Sequence, residues 1–246
     1  MKKIGIATLY TGSTNYGGCL QSYALCKVLK DMGYDPYQIL FKSKELSTKE
    51  KIIRTIKSRR LFSMLRIRFR SIIESLQNKY YKVDNDIEIF KSSFSEFRDS
   101  IPHTSTLYND ITLTQCNDFD VYITGSDQVW NIGETYNINN FYWLNFIGNE
   151  KIKLSYAASI STKDIPISLY STIRKILSNY RAISVREKQD KQLLDSILGK
   201  EIVEWVLDPT LLLSTEQWDN LCMALRKNLC KIKNCDKNVM MEWLKN

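Results

Sequence analysis

Short apolar runs rich in β-branched residues alternate along the chain with segments whose apolar residues recur at helical spacing. The runs predict six β-strands, at residues 3–9, 37–41, 120–124, 153–158, 182–185 and 202–207. After the first strand, the helical spacing starts at Leu20 and ends at Gly33, a common residue at a helix C-terminus. Two later helices are predicted from their apolar faces, which are Ile87, Phe90, Phe94 and Phe97, and Leu169, Ile173, Ile176, Leu177 and Tyr180. This alternation predicts an α/β fold with a mostly parallel sheet flanked by helices.

The chain of 246 residues is 43% hydrophobic, enough to fill a sizeable core. No stretch approaches the roughly 18 uncharged apolar residues that a membrane span needs. The apolar run at the N-terminus is also too short for a secretory signal. We therefore expect a soluble, cytoplasmic protein.

The six cysteines do not form a regular framework, and in a reducing compartment they are expected to be free thiols. Cys230 and Cys235 are the one closely spaced pair, and no histidine lies near them in the sequence. A structural zinc site needs four ligands at matched spacing, so no metal site is predicted.

The positive charge of the chain is concentrated in one segment. Residues 42–82 contain thirteen Lys and Arg against three Glu, a net charge of +10, whereas the whole chain carries +8. Within the segment, isoleucines and leucines recur at helical spacing between the arginines. The pattern fits a basic, solvated helix face, and it also fits an amphipathic helix on an anionic membrane surface. No nucleic-acid-binding module is recognisable, so specific nucleic-acid binding is the least favoured interpretation.

The first strand leads through the loop at residues 10–19 into the first helix. A loop of this kind presents backbone N–H groups and the positive end of a helix dipole, which favour an anion. Its sequence is neither Gly-x-Gly-x-x-Gly nor a Walker A motif. A tight structural turn and a phosphate or sugar site are both compatible with it.

A second polar loop follows the strand at residues 120–124, and its small and hydrogen-bonding residues lie where open α/β sheets bind ligands. A ligand site is the favoured interpretation, and the alternative is a turn in which Asp127 binds backbone amides. The candidate binding residues of this loop are Gly125, Ser126, Asp127, Gln128, Trp130 and Asn131.

Five motifs, in order, resemble the polysaccharide pyruvyl transferase family. They are Asn15-Tyr16-Gly17 with the helix Leu20-Gln21-Ser22-Tyr23-Ala24-Leu25, Gly125 to Asn131, Tyr156-Ala157-Ala158-Ser159, Ser184-Val185-Arg186-Glu187, and Asp208-Pro209-Thr210-Leu211-Leu212. The basic segment at residues 42–82 lies outside all of them.

The resemblance implies transfer of the enolpyruvyl unit of phosphoenolpyruvate to sugar hydroxyls of a bacterial surface polysaccharide, exopolysaccharide or capsule, or of its lipid-linked oligosaccharide precursor. It implies phosphoenolpyruvate as donor substrate and no separate cofactor. It also implies two Rossmann-like halves around a cleft, as in GT-B glycosyltransferases, of which this chain would supply one.

The matched residues add Asn15, Tyr16, Gly17, Gln21 and Arg186 to the candidate substrate-binding residues. A guanidinium suits bidentate binding of phosphate or carboxylate, and the alternative for Arg186 is an ion pair with Glu187 at a helix start. Asp208 is expected to end a strand and begin a turn. The motifs identify no catalytic acid or base, and His103, the only histidine, is expected at the surface.

After the last of the five motifs, the sequence departs from the pattern of the family. Members of the family carry a second α/β domain after the Asp-Pro-Thr-Leu-Leu motif, whereas here Ser214 and Gln217 predict a capping box that begins a helix. We expect a Rossmann-like domain at residues 1–213, a helical remnant at 214–246 and a truncated, inactive transferase. A non-catalytic glycan- or nucleotide-binding module that acts with a partner chain is the alternative. The helix's apolar residues are then expected to form an exposed patch, and they are Trp218, Leu221, Leu225 and Leu229.

Overall fold

The computed structural model describes residues 1–12, 15–43, 94–133, 138–162 and 165–232, with side chains as far as residue 225. The strands are β1 (Lys3–Ala7), β2 (Asp35–Gln38), β3 (Val121–Thr124), β4 (Ile152–Ser155), β5 (Ile183–Val185) and β6 (Val203–Trp205). The helices are α1 (Tyr16–Asp31), α2 (94–100), α3 (Tyr170–Leu177), α4 (Lys188–Leu198) and α5 (Thr215–Ile232). Each predicted strand is therefore present, with ends that differ by a few residues. Most of the basic segment, together with Ile87 and Phe90, lies outside the described residues.

All six strands are parallel and are joined by backbone hydrogen bonds. Strands β2, β1, β3 and β4 are hydrogen-bonded in that order, and β5 pairs with β6. Bonds from Ser155 N to Ala182 O (3.1 Å) and from Arg186 N to Ala158 O (3.1 Å) join β4 to β5. The resulting order is 2-1-3-4-5-6, which confirms the predicted α/β fold with a mostly parallel sheet.

The strand order reverses between β1 and β3. From β1 the chain crosses to β2 on one side, and it later returns to place β3 on the other side, with Ala7 opposite Thr124. In open parallel sheets the crevice at such a reversal, beyond the carboxyl ends of the strands, is where ligands bind. Because β1 and β3 are parallel, the loops that follow them leave the same edge of the sheet, as the sequence predicted.

Helices cover one face of β1 and β3. Ile4, Ile6, Val121 and Ile123 point to this face and pack in one cluster with residues of α1, α2 and α5. Phe97 of α2 is 7% exposed and Phe94 is half-buried, which confirms both as packing residues. The helix α1 ends where predicted, because its C-cap residue is Met32 and the next residue, Gly33, has a φ of +85°.

The residues after α2 extend the pairing at the edge of the sheet. Gln38 N donates to Pro102 O (2.8 Å), and Thr104 N donates to Gln38 O (2.9 Å). The intervening His103 is half-buried, and its Nδ1 lies 2.8 Å from Ile101 O. His103 is therefore a partly exposed residue of the surface, and backbone pairing holds its segment against β2.

Three of the described cysteines are buried, and a fourth, Cys222, is exposed; all four are free thiols. Burial raises the pKa of Cys26 and of Cys116 to about 12. Since the thiolate is the reactive form of cysteine, neither is a nucleophile at neutral pH. Among the described residues, no helix has the length and apolar character needed to cross a bilayer.

Helix α5 packs back onto α1. The predicted capping box is confirmed, since Gln217 N donates to Ser214 Oγ (3.2 Å) and Ser214 N donates to Gln217 Oε1 (2.9 Å). The Trp218 ring contacts Tyr23 of α1, with ring centroids 5.9 Å apart. Leu221 and Leu225 pack against the cluster that also contains α1 and β1. The expected exposed patch is thus wrong for these three apolar residues; the side chain of Leu229 lies outside the described residues.

We expect Trp218→Ala to lower the free energy of unfolding by about 2–3 kcal/mol, somewhat less than loss of a fully buried tryptophan. The substitution removes the contact with Tyr23 and the bond from Trp218 Nε1 to Thr210 O (3.2 Å). Met223 on the same helix is 57% exposed, so Met223→Ala is the matched control and should change stability by less than about 0.5 kcal/mol. Urea denaturation measures both; equal effects would mean that α5 does not pack on α1.

Candidate functional site

A chain of buried hydrogen bonds starts at α1 and crosses the carboxyl edge of the sheet. The Gln21 side chain is 2% exposed, and its Nε2 donates to Thr8 Oγ1 (3.0 Å). Thr8 follows β1, and its hydroxyl donates to the carbonyl of Ser126 (2.8 Å), which follows β3. The first two motifs of the sequence are therefore joined through Thr8, a residue outside both.

The chain continues to the last motif through Ser126. The Ser126 side chain is fully buried, and its Oγ donates to Asp208 Oδ2 (2.8 Å). Arg186, just beyond β5, donates to the same oxygen through Nη1 (3.0 Å). The other oxygen of Asp208 accepts from Thr210 N (3.0 Å) and Thr210 Oγ1 (2.7 Å). Asp208 thus connects the loops after β3, β5 and β6.

These bonds determine the charge of Asp208. Burial raises the pKa of this carboxyl, but the bonds from Thr210, Arg186 and Ser126 together outweigh burial and hold its pKa below the usual value. Asp208 is therefore an anion at neutral pH. The expectation that it begins a turn is confirmed by its cap on the short 3-10 helix Pro209–Leu211, whereas its bonds to Ser126 and Arg186 have no signal in the sequence.

Arg186 lies between two carboxylates. Its Nε donates to Glu187 Oε1 (2.9 Å), in addition to the bond from Nη1 to Asp208. Burial lowers the pKa of the guanidinium, and the two carboxylates raise it by more, so Arg186 stays charged. The predicted ion pair with Glu187 is present, and the side chain remains 28% exposed. Any anionic ligand that bound Arg186 would have to compete with Asp208 and Glu187 for the guanidinium.

The third motif packs against the loop after β3. Ser159 N donates to Asp127 O (3.0 Å), and Tyr156 Oη donates to Leu207 O (3.2 Å), just before Asp208. Gly125 has a φ of +108°, and an added Cβ would lie 2.2 Å from Tyr156 O. The backbones approach so closely that only glycine fits at position 125.

The remaining residues of the β3 loop divide between solvent and core. The Asp127 carboxylate accepts from Gln128 N (2.8 Å), as the capping-turn alternative predicted, and Asp127 itself has a φ of +77°. Gln128 and Asn131 are exposed, with their side-chain amides 3.4 Å apart. Trp130 is fully buried and stacks on Trp143 at a centroid distance of 5.1 Å. Trp130 is therefore a packing residue beneath the loop, not a surface that faces a ligand.

The N-terminus of α1 begins at the predicted motif. Asn15 is the N-cap, and its Oδ1 accepts from Gly17 N (3.0 Å). Tyr16 is 45% exposed and packs edge-to-face on Phe94. Residues 13 and 14 of the preceding loop lie outside the described residues. Gln21, one turn into the helix, has a buried Oε1 without a hydrogen-bond partner in the described structure.

An exposed tryptophan lies beside Arg186 and was missed by sequence analysis. Trp205 ends β6, is 58% exposed, and its Nε1 donates to Arg186 O (3.0 Å). The bond fixes the ring at the carboxyl edge of the sheet. The sequence offered one usable signal, an aromatic residue at the end of a short strand.

The described residues contain no group of three or more His, Cys, Asp or Glu side chains arranged to hold a metal ion. The site is a polar edge built from Arg186, the half-buried Asp208, hydroxyls and amides. Such groups bind oxygen-rich ligands through hydrogen bonds and charge.

Comparison with known proteins identifies the family. The family model described as polysaccharide pyruvyl transferase matches residues 15–244 of the 246-residue chain. A search of curated proteins and a search of solved structures each returned no match. The matched range contains every residue of the hydrogen-bonded chain except Thr8, which precedes it. The protein is therefore a member of the polysaccharide pyruvyl transferase family.

Proposed function

We propose that this protein acts in transfer of a pyruvyl group from phosphoenolpyruvate to hydroxyl groups of a sugar, in the synthesis of a bacterial surface polysaccharide. One observation carries the proposal. Hydrogen bonds through Thr8, Ser126, Asp208 and Arg186 connect the loops after β1, β3, β5 and β6 at one edge of the sheet. Family membership supports a sugar or polysaccharide acceptor.

In the proposed reaction a sugar hydroxyl adds to the enol carbon of the donor while the methylene carbon takes a proton. A second hydroxyl then closes the ketal as inorganic phosphate leaves. Arg186 is the cation proposed to bind the phosphate or carboxylate of the donor, in exchange for Asp208. Asn15, Tyr16 and Gly17, at the start of α1, lie at the same edge of the sheet as Asp127, Gln128 and Asn131 and complete the proposed substrate surface, whereas Gln21 and Trp130 are buried beneath it.

Trp205 is the proposed platform for the acceptor. Its ring is exposed and held in place beside Arg186 by its indole N–H. A pyranose ring has an apolar face of C–H groups and a rim of hydroxyls, so it suits an aromatic surface next to polar groups. The acceptor side and the donor side of the proposed site then lie next to each other.

The test is incubation of the purified protein with phosphoenolpyruvate and a panel of β-galactosyl and β-mannosyl acceptors. Phosphate release and an acceptor product with the mass of a pyruvate ketal support the proposal. Arg186→Lys should then raise the KM for phosphoenolpyruvate, and Trp205→Ala should raise the KM for the sugar. Binding without phosphate release would instead favour the inactive transferase expected from the sequence, or the alternative of a non-catalytic glycan- or nucleotide-binding module. No binding of either ligand would refute the proposed activity.

We also propose that the protein is cytoplasmic and associates peripherally with anionic membrane, where a lipid-linked oligosaccharide acceptor would be available. The support is the net charge of +10 in residues 42–82, of which 44–82 lie outside the described residues. Basic residues near an anionic surface contribute about 1 kcal/mol each before screening by salt.

Vesicle sedimentation tests this association. Binding to vesicles that contain phosphatidylserine should fall as salt rises, and it should fall strongly in a variant with five arginines changed to glutamine, at Arg59, Arg60, Arg66, Arg68 and Arg70. Equal binding of the two proteins would refute the association.

A further inference from the structure

The carboxylate of Asp208 is filled by its hydrogen bonds. Its Oδ1 accepts from Thr210 N (3.0 Å) and Thr210 Oγ1 (2.7 Å). Its Oδ2 accepts from Ser126 Oγ (2.8 Å) and Arg186 Nη1 (3.0 Å). An ionised carboxylate has about four lone-pair positions on its two oxygens. These bonds therefore occupy the positions at which Asp208 could accept a proton from a ligand.

Arg186 is the exchangeable partner among these donors. Ser126 is fully buried, and the bonds from Thr210 belong to the cap of the short 3-10 helix Pro209–Leu211. The Arg186 side chain, in contrast, is 28% exposed. When Arg186 turns to an anionic ligand, one lone pair of Asp208 Oδ2 opens on the ligand's side. Thr210 and Ser126 still hold the carboxylate in place.

We propose that Asp208 is the general base that accepts a proton from the acceptor hydroxyl, and that it becomes available only after Arg186 has bound the donor. This inference rests on the proposed pyruvyl transfer. The proposed acceptor platform contacts the same arginine, because Trp205 Nε1 donates to Arg186 O (3.0 Å). The productive order of binding is then donor first and acceptor second.

The proton moves as follows in the first addition. The O–H bond of the acceptor breaks, its oxygen bonds to the enol carbon of the donor, and its proton goes to Asp208 Oδ2. The π electrons of the enol bond take a proton from a water molecule at the methylene carbon. That water receives the proton of Asp208 in exchange, so the carboxylate has the same charge before and after the addition.

Before the donor binds, Asp208 is a poor base. Burial raises the pKa of its carboxyl, but the bonds from Thr210, Arg186 and Ser126 together outweigh burial and hold the pKa below the usual value. A general base works best with a pKa near the operating pH. Loss of the bond from Arg186 raises the pKa of Asp208, and so does the negative charge of a donor nearby. Donor binding therefore makes Asp208 a stronger base at the step that needs one.

Two further titratable groups lie next to this position. Glu187 Oε1 accepts from Arg186 Nε (2.9 Å), and Tyr156 Oη donates to Leu207 O (3.2 Å). Burial and then the charge of Asp208 raise the pKa of Tyr156, which stays neutral. Neither group is a cation, so Arg186 is the positive charge that Asp208 loses on donor binding. The other charged residues of α1, β6 and the described part of α5 lie at the surface: Lys27, Lys30, Asp31, Glu204, Glu216 and Asp219.

The first experiment is a carboxyl ¹³C NMR titration of the full chain with and without saturating phosphoenolpyruvate. In the free protein the Asp208 signal should not titrate above about pH 4. With phosphoenolpyruvate bound, its midpoint should rise by about one pH unit or more. The carboxyl group of Asp219, exposed on α5, is the internal control and should not respond.

Calorimetry on the same samples separates this inference from the proposed function. Absence of phosphoenolpyruvate binding would overturn the donor site and the role of Asp208 with it. Binding with an unchanged Asp208 midpoint would overturn the role of Asp208 alone, because Arg186 would then hold the donor through its other N–H groups without leaving Asp208.

Asp208→Asn is the second experiment, and it distinguishes a base from a structural residue. The asparagine cannot accept the proton, so kcat should fall at least about a hundredfold. The KM for phosphoenolpyruvate should stay the same or fall, since no carboxylate competes for Arg186. A raised KM with unchanged kcat would contradict the proposal. If Asp208→Asn does not fold, the titration of the wild-type protein still decides.

Discussion

Replacing Gly125 with alanine is expected to lower the free energy of unfolding by about 3 kcal/mol or more. The φ of +108° at this position is unfavourable for any residue with a Cβ, and the new Cβ would lie 2.2 Å from Tyr156 O. The overlap is with backbone, so no side-chain rotation relieves it. Either the loop after β3 or the segment after β4 must move. Urea denaturation followed by circular dichroism measures the loss.

Gly199 provides the control for this substitution. It also has a positive φ, +70°, but an added Cβ meets no atom within 4 Å. Gly199→Ala should therefore cost only about 1–2 kcal/mol, the effect of the backbone conformation alone. Similar losses in the two variants would show that the close approach of Gly125 to Tyr156 is absent in solution.

Changing Asp208 to asparagine is expected to lower the stability at neutral pH by about 2–4 kcal/mol. The asparagine oxygen still accepts from Thr210, but its amide group faces two donors, Ser126 Oγ and Arg186 Nη1. The side chain of Asp208 is only 18% exposed, so water replaces these bonds poorly.

The pH dependence of this loss follows from the lowered pKa of Asp208. A carboxyl whose pKa is lower in the folded than in the unfolded state stabilises the fold above about pH 4, and this contribution disappears as the pH falls through the folded-state pKa. The difference between wild type and Asp208→Asn should therefore be largest at neutral pH and shrink in acid. The exposed Asp219 on α5 serves as control, and Asp219→Asn should change stability by less than about 0.5 kcal/mol. If the stability difference between wild type and Asp208→Asn stays constant down to pH 3, Asp208 is not ionised in the folded protein at neutral pH.

The positions of the strands and the common edge of the loops that follow β1 and β3 were predictable from local patterns. Short apolar runs predicted where the strands lie to within a few residues, and parallel strands place their following loops at the same edge. The first loop and the Gly125–Asn131 loop were found in this way. Helix caps are also local features. The N-cap at Asn15 and the capping box at Ser214 each involve residues only two or three positions away.

Interactions between distant residues could not be predicted in the same way. Asp208 and Ser126 are 82 positions apart, and no periodicity relates them. Trp130 was included among the candidate binding residues of a polar loop, yet it fills the core beneath that loop. Trp218, Leu221 and Leu225 suggested a missing partner, since a sequence pattern shows that a helix face is apolar but not which surface it covers; here that surface includes α1.

The most direct test of the account is the affinity for phosphoenolpyruvate, measured by titration calorimetry on the wild type and two arginine variants. Arg186 and Arg181 lie at opposite ends of β5, at the carboxyl and amino edges of the sheet, and Arg181 is exposed. We predict that Arg186→Gln weakens binding at least tenfold, equivalent to about 1.4 kcal/mol, whereas Arg181→Gln leaves it unchanged. Equal affinities in all three proteins would contradict the placement of the donor site at the carboxyl edge beside Arg186.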